Sequence, residues 1–269
     1  MKRLVTFIFA ISVSVVYSQG RIDGFYKGKN NGSIVLGLGY EDGIRYFSGG
    51  DVGKLDINRS VFYTNVFGAY GLGDNLDVNL AVPYIVSDDN ANFQDISAFL
   101  KYRLISLNAA NGRIEISTAA GFSTNLTNYE LGGLNDIGQQ ATIFDLKAMI
   151  HYQLVSAWFA TLQGGYSFKS DPTPNSLPAT LKLGRAGQKW YYDLYYDFQH
   201  SFGGINYRGT PPPQDFRAFG VDFQKIGGTL YKPFSSTLGV YVSVSYVFDG
   251  RNIFKGPGYG TGVVYNFGN

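Results

Sequence analysis

Apolar and polar residues alternate with a period of two along several stretches of this chain. Between positions 76 and 86 every even residue is apolar, and the odd residues include Asp77 and Asn79. Strict alternation is typical of a β-strand with one apolar face and one polar face. The same alternation recurs at 96–104, 144–154, 189–199 and 238–248. The sequence therefore predicts many long, two-faced strands.

The number and length of these segments favour a membrane barrel. Several run for 10 to 15 residues, whereas strands of globular proteins usually have about 5 to 6, and a tilted strand crosses a bilayer in about 9 to 11. A soluble β-sandwich is the alternative, but its strands would be shorter and its apolar positions less rich in tyrosine. We predict an all-β fold, a single transmembrane antiparallel β-barrel of about 12 strands. The predicted strands are 32–41, 59–71, 76–87, 92–106, 113–126, 140–154, 157–169, 178–186, 189–202, 216–231, 236–249 and 258–268.

The connections between the predicted strands alternate in length. Those after even-numbered strands are short turns, at 73–75, 108–112, 155–156, 187–188 and 232–233. Those after odd-numbered strands are longer, at 42–58, 127–139, 170–177, 203–215 and 250–257, with 88–91 as the short exception. Outer-membrane barrels have short periplasmic turns and long external loops. The alternation therefore supports the barrel independently of the strand count.

The N-terminus has the layout of a secretory signal peptide. A positive pair, Lys2 and Arg3, precedes an apolar run at 4–16, and residues suited to cleavage precede Gln19. A buried amphipathic N-terminal helix is the alternative. We expect the arm that follows cleavage either to stay on the periplasmic side or to enter the barrel lumen. The predicted organisation is a cleaved signal peptide at 1–18, an N-terminal periplasmic arm at 19–31 and the outer-membrane β-barrel at 32–269.

Composition excludes several classes of function. Aromatic and charged residues each make up 16% of the chain, and there is no cysteine, which excludes disulfides and thiolate metal sites. Without the signal peptide the chain has 20 basic and 20 acidic residues, so no cationic surplus favours binding to nucleic acid. We expect no cofactor and no bound metal.

The apolar surface of the predicted barrel indicates its partners. The last strand, at 259–267, carries the alternating aromatic pattern of closing strands recognised by the outer-membrane barrel assembly machinery. Such an apolar edge would aggregate if it stayed unpaired. The predicted partners are this machinery, outer-membrane lipid and a small-molecule solute. Aromatic residues near strand ends are expected to form the two interfacial girdles: Tyr46, Phe47, Trp158, Trp190, Tyr231 and Phe254.

The polar positions of the strands predict the lining of the lumen. The pore-lining candidates are Asp77, Asn79, Asp95, Lys101, Arg103, Glu115, Asp145, Lys147, His151, Gln163, Lys182, Asp193, Asp197 and Asp222, together with Gln199 and Gln224. Both signs of charge are mixed, which argues against a strong single-sign selectivity filter. Two interpretations stay open, a narrow water-filled pore and a lumen sealed by ion pairs across it. Closely matched pairs such as Lys101 with Glu115 would favour the sealed lumen.

A surface lipid hydrolase is an alternative function for an outer-membrane barrel. Its catalytic histidine and serine must lie within hydrogen-bond reach, about 3 Å. His200 and Ser201 are adjacent on one predicted strand and therefore point to opposite faces, and His151 faces the lumen alone. We predict that the protein is not an enzyme.

Two stretches resemble a known family. Residues 24–32 read GFYKGKNNG before the first strand, and residues 70–84 read YGLGDNLDVNLAVPY across the second and third strands. The second pattern resembles outer-membrane proteins grouped under the meta pathway of phenol degradation. The resemblance implies a small exported barrel of a Gram-negative outer membrane that is a transporter or channel for small, often aromatic or hydrophobic molecules.

The expected function is passive or facilitated uptake of a small solute across the outer membrane. The polar inner face would replace water around the solute, and Tyr191, Tyr195 and Phe99 would offer stacking surfaces to an aromatic one. The main rival is a non-transporting structural or accessory barrel that binds a partner through its external loops.

Overall fold

A computed structural model describes residues 22–49, 53–210 and 212–268. The predicted signal peptide at 1–18 lies outside the described residues. Within them the chain forms fifteen β-strands and one short 3₁₀ turn, Phe216–Ala218. None of the helical segments in the described part is long and apolar enough to span a membrane.

Twelve strands form a closed antiparallel ring. Each strand of the ring pairs with its neighbour in the chain, and the first pairs with the last from Gly32↔Phe267 to Glu41↔Gly258. This closure confirms the predicted twelve-stranded barrel. The ring consists of β1 (Gly32–Gly43), β4 (Arg59–Gly73), β5 (Leu76–Ser87), β7 (Asp95–Ala109), β8 (Gly112–Asn125), β9 (Ile143–Leu154), β10 (Trp158–Lys169), β11 (Ser176–Ala186), β12 (Tyr191–Ser201), β13 (Asp222–Pro233), β14 (Leu238–Arg251) and β15 (Ile253–Phe267).

Three shorter strands extend the wall at one rim. β2 (Arg45–Gly49) pairs with the beginning of β15 and with β3 (Gly53–Leu55), and β6 (Asn90–Phe93) pairs with the end of β5. β2 and β3 lie within the predicted loop at 42–58, and β6 spans the end of the predicted connection at 88–91 and the start of the predicted strand at 92–106. The predicted loop at 250–257 is instead almost entirely strand, because Asn252 alone separates β14 from β15. Conversely, residues 216–221 were predicted as strand, but they precede β13 and contain the 3₁₀ turn.

The two faces of the wall differ in the way that the alternation predicts. Large apolar side chains such as Leu80, Leu100 and Leu162 are about half exposed on the outside. Their neighbours Asp77, Lys101 and Gln163 are buried. A continuous apolar exterior with a polar interior is the arrangement that a bilayer requires of a barrel.

The two rims of the barrel have different connections. One rim carries the tight turns around Asp74, Ala110 and Ser156, and the chain enters β1 and leaves β15 at this same rim. The other rim carries the long connections, of which 126–142 and 202–221 are the largest. By the rule for outer-membrane barrels, the first is the periplasmic rim and the second is the external rim.

The predicted aromatic girdles are only partly realised. Trp158 and Trp190 are exposed near the periplasmic rim, but Tyr46, Phe47 and Phe254 are buried. The reason is that β2 continues along β15 above the ring and turns these rings inward. There Phe254 packs against Tyr46 and beneath the Arg59 guanidinium.

Candidate functional site: the barrel lumen

Most of the residues predicted to line the lumen do face it. Eleven of them are buried on the inner face: Asp77, Asn79, Asp95, Lys101, Glu115, Asp145, His151, Gln163, Asp193, Asp197 and Gln199. Three more, Arg103, Lys147 and Lys182, are partly buried and lie at alternate strand positions that face the same side. They lie on seven consecutive strands of the ring, from β5 to β12, so the inner face is polar around more than half of its circumference. The wall thereby brings these residues into one compartment; whether they line a pore stays a prediction.

Asp222 and Gln224 are corrections to that prediction. On β13 the buried Lys225 points inward and the exposed Ile226 points outward, so Asp222 and Gln224 share the outward parity. Asp222 pairs there with Arg251 at 2.8 Å and lies 3.7 Å from His200. The sequence prediction was wrong because the apolar Phe223, between these two polar residues, packs inside the barrel with Phe47, Val247 and Ile253.

The chain's own N-terminal segment fills the periplasmic half of the lumen. We call residues 22–31 the arm. Ile22 is buried against Phe99 and Ala119 of the wall. Further along, the Phe25 ring makes edge contacts with His151 at 4.7 Å and with Phe159 at 5.1 Å between centroids. Of the two positions expected for the arm, the described part occupies the lumen.

One buried ammonium group holds the arm to the wall. Lys101 Nζ donates to the backbone carbonyl oxygens of Asp23 and Phe25, at 3.2 and 2.5 Å, and pairs with Asp77 at 3.3 Å. The Asp77 carboxylate in turn accepts from the Lys27 backbone N–H at 3.1 Å. Two oppositely charged wall residues, which lie opposite each other on β5 and β7, thus both bind the arm backbone.

A second cluster fixes Tyr26. Its hydroxyl donates to Ser117 at 2.8 Å, and its ring lies 4.2 Å from the Arg103 guanidinium. Arg103 is also within 3.4 Å of Glu115. Glu115 pairs with Arg103 and Arg113 rather than with Lys101, because Lys101 lies opposite Ala119, four residues from Glu115 in the register between β7 and β8. The charges of this cluster are therefore matched along the wall, although the pair that the sequence suggested does not form.

Ion pairs also link neighbouring strands of the wall. Lys182 lies 3.5 Å from Asp193, and Lys225 lies 3.6 Å from Asp197. Lys225 and Lys169 were absent from the predicted lining. Lys169 lies six residues after the inward-facing Gln163 on the same strand, so the alternation alone could have placed it in the lumen. Lys225 was missed because the sequence analysis assigned the alternate residues of β13, Asp222 and Gln224, to the inner face.

Above the arm the lumen opens into a cavity of about 300 Å³. Its polar lining includes Asp95, Lys147, Gln163, Lys169, Asp197 and Lys225. Its aromatic lining includes Tyr46, Phe216, Phe219, Phe223 and Phe254. We call this space the external cavity, because it lies between the arm and the connections of the external rim.

The connection at 126–142 covers part of the external cavity. The Tyr129 hydroxyl donates to Asp95 at 2.9 Å and accepts from the backbone N–H of Gln140 at 2.8 Å. Burial, together with the adjacent Asp95 carboxylate, raises the pKa of Tyr129 above its ordinary value, so the hydroxyl stays protonated and able to donate. Burial likewise raises the pKa of Asp136, whose carboxylate accepts from the backbone N–H groups of Gly132 and Gly133.

The two histidines have separate structural contacts. His151 Nδ1 lies 2.7 Å from the Thr161 hydroxyl, and its ring packs against Phe25. His200 is half exposed on the outer face, whereas Ser201 is buried on the inner face. His200 and Ser201 therefore point to opposite sides of the wall. Among the described residues no three histidine, aspartate or glutamate side chains are grouped to hold a metal ion.

Comparison with known proteins identifies relatives of this architecture. The model of the family described as "Putative MetA-pathway of phenol degradation" matches residues 23–261. No curated protein matches the chain in sequence.

Several solved structures share the fold. An outer membrane channel from Pseudomonas putida F1 superposes with a TM-score of 0.67 at 17% identity, covering 92% of this chain and 100% of that one. The KdgM porin gives a TM-score of 0.54 at 10% identity, covering 87% and 99%. The NanC porin gives 0.55 at 9% identity, covering 86% and 98%. At these low identities, the superpositions show a common barrel fold.

Proposed function

This chain belongs to the family described as "Putative MetA-pathway of phenol degradation", and we propose that it is a channel through which a small solute crosses the outer membrane. It is an outer-membrane protein with a porin-like barrel. The observation that carries the proposal is the external cavity of about 300 Å³ inside the closed wall. This volume is at the lower end of the range for small-molecule sites.

The polar wall and the arm divide the proposed path into two parts. A solute would enter the external cavity from the outside and exchange its water for the polar groups of β9 to β13. Below the cavity, the arm occupies the lumen between Phe99 and Gly71. Passage to the periplasm would therefore require the arm to shift within the barrel.

The family description names phenol degradation, so we propose small aromatic compounds as the first solutes to test. The aromatic residues of the external cavity support this choice, since rings pack favourably in offset or edge-on contacts. Tyr191, one of the stacking surfaces expected from the sequence, already contacts Phe25 of the arm at 6.4 Å between centroids.

The proposal is tested by single-channel conductance of the folded protein in a planar bilayer, before and after the arm is tethered. A Cβ built on Gly24 would overlap the His151 ring, so the two positions are adjacent, and the chain has no other cysteine. We expect the double variant Gly24→Cys, His151→Cys to conduct less when oxidised than when reduced. The two single-cysteine variants are the controls and should not respond to reduction.

A sealed accessory barrel is the second candidate, and the contacts of Lys101 with the arm and Asp77 favour it. This candidate predicts no conductance from the folded protein, and none after residues 22–30 are deleted. Conductance of either protein would exclude it. If neither protein conducts, the external connections become the expected docking surface for a partner.

A further inference from the structure

We propose that the external cavity is a binding site for a small organic monoanion, in which Lys147 and Lys169 hold the carboxylate and the aromatic residues hold its apolar body. This inference deepens the proposed channel function, on which it rests, by naming the chemical class of the solute. It is argued below from the free donors, the charge of the wall and the lining opposite to it.

The two lysines are donors without acceptors. Lys147 and Lys169 both line the external cavity. Within the part of the chain that the structure describes, neither ammonium group has a carboxylate within 4.0 Å or a hydrogen-bond acceptor. Lys147 Nζ instead lies 4.9 Å from the centre of the Phe99 ring. Ammonium groups on the wall of a cavity gain most from an acceptor that enters the cavity, since hydrogen bonds between charged groups are the strong ones.

The carboxylates of the cavity, by contrast, already have donors. Asp197 accepts from Thr180 at 2.8 Å and pairs with Lys225. Asp95 accepts from Tyr129, and Asp136 accepts from two backbone N–H groups. Each of these three carboxylates therefore already has a donor, whereas the two lysines have no acceptor among the described residues.

The wall from β9 to β13 carries one surplus positive charge. Its inner face carries four lysines, Lys147, Lys169, Lys182 and Lys225, and three carboxylates, Asp145, Asp193 and Asp197. Asp145 is fully buried between the two free lysines and accepts from Ser167. A single negative charge in the solute would balance this wall, whereas a dianion would exceed it.

The strand register allows both lysines to reach one ligand. Lys147 is paired with Gly165 on β10, and Lys169 follows four residues later on that strand. The two Cα positions are thus separated by about 14 Å, from four residues of strand rise and the spacing between neighbouring strands. Two lysine side chains that lean towards each other across Asp145 and Ser167 can therefore approach the same carboxylate.

The opposite side of the cavity suits the remainder of such a solute. The rings of Phe216 and Phe219 stack with centroids 4.8 Å apart and planes at 23°. Tyr46 and Phe254 line the same side, with centroids 4.8 Å apart. A cavity with cations on one wall and aromatic rings on the other fits a molecule that has a charged end and an apolar end.

The test is binding of 4-fluorobenzoate to the folded full-length mature protein in detergent, followed by fluorine NMR. The uncharged 4-fluorobenzamide has nearly the same shape and serves as the matched probe. We expect the benzoate to bind at least about tenfold more tightly than the benzamide, because a charged hydrogen bond contributes about this factor. Equal affinities would overturn the proposal.

Variants then assign the site. Lys147→Met and Lys169→Met should each weaken benzoate binding by about tenfold and leave benzamide binding unchanged. Lys232→Met is the control, because Lys232 is exposed at the periplasmic rim over Trp190. Unchanged benzoate binding in both cavity variants, with each shown to be folded by its heat-dependent gel migration, would also overturn the proposal.

The binding assay and the bilayer assay can fail separately. Conductance without preferential benzoate binding would retain the channel and reject the monoanion site. Preferential binding that depends on the two lysines, without conductance of the protein or of its arm deletion, would retain the site and reject the channel.

Discussion

The periplasmic and external halves of this barrel have the same wall but different contents. In the periplasmic half, the arm lies in the lumen, and Lys101, Asp77, Arg103 and Glu115 are matched with each other or with arm atoms. In the external half, a cavity of about 300 Å³ remains, and two of the lysines that line it have no carboxylate within 4.0 Å among the described residues. Alternation of polar and apolar residues continues through both halves, so the wall alone does not explain the difference.

This contrast assigns different physical roles to the two halves. Buried charges are stable only when they are paired and hydrogen-bonded, and the arm supplies backbone acceptors that complete the pairing in the periplasmic half. Among residues 22–49, 53–210 and 212–268, the external half contains no such partner for Lys147 and Lys169. We infer that the periplasmic half controls passage and that the external half controls recognition.

The largest expected effect comes from Lys101→Met. This change removes the ammonium group that binds the arm and leaves the buried Asp77 carboxylate unpaired, which costs about 3 to 5 kcal/mol when a pair is fully buried. We expect a lower free energy of unfolding in urea, measured by gel migration, and higher conductance. Lys232→Met is the control. The comparison between the halves fails if Lys101→Met changes neither quantity.

A smaller effect is expected from Gly71→Ala. The added Cβ would overlap the Gly28 carbonyl oxygen, whereas a Cβ at Gly68 on the same strand would meet open space. Overpacking of this kind costs about 1 to 3 kcal/mol, and the arm can relieve it by leaving the wall. We expect Gly71→Ala to raise conductance and Gly68→Ala to leave it unchanged. Identical conductance of the two variants would contradict the role given to the arm.

Tyr129→Phe tests the external half separately. It removes the donor to Asp95 at the cover of the cavity, at a cost of about 1 to 3 kcal/mol for a buried acceptor left unsatisfied. We expect faster cleavage after the exposed Glu130 by a glutamate-specific protease. Because the arm rather than this connection limits conductance, we expect conductance to stay unchanged. Tyr40→Phe, which loses only an exposed contact with Ser60, is the control. If Tyr129→Phe instead changed the rate at which a protease cleaves the arm, the two halves would be coupled.

The smallest effect is expected from Asp215→Asn in the connection 202–221. Hydrogen bonds from Arg217 lower the pKa of Asp215 below its ordinary value of 3.8. The contact is therefore complete at neutral pH and is lost only as the pH falls through that lowered pKa. We expect slightly faster trypsin cleavage after Arg217 at neutral pH. Asp56→Asn breaks the exposed pair with Arg45 elsewhere and should leave this cleavage rate unchanged.

The barrel could be predicted from the sequence because its rule is local. A strand such as β5 shows its two faces directly in the alternation from Leu76 to Val86, and the same rule correctly assigned Asp77, Lys101 and Asp145 to the interior. Family membership was also predictable, since the motif at 70–84 lies within the matched region. Both conclusions depend on neighbours along the chain or on short patterns.

The contents of the lumen could not be predicted in this way. The arm has no regular period, and its contacts join residues such as Phe25 and Phe159 that are far apart in sequence. The inward-facing residues of β13 were predicted wrongly because Phe223 is apolar yet faces inward. There it packs against a cluster of apolar side chains beneath the external rim. The partners of Glu115 depended on the register between β7 and β8, which alternation does not reveal.

The closing contact between β1 and β15 has a consequence for the order in which the protein assembles. Gly32 and Phe267 pair across nearly the entire chain, and contacts between such distant residues form slowly. Until β15 pairs with β1, the edges of these two apolar strands remain unpaired and prone to aggregation. The arm is continuous with β1, so it must be inside when this seam closes or enter afterwards through the periplasmic rim. The assembly step that seals the wall is therefore also the step that fixes which part of the chain is enclosed by it.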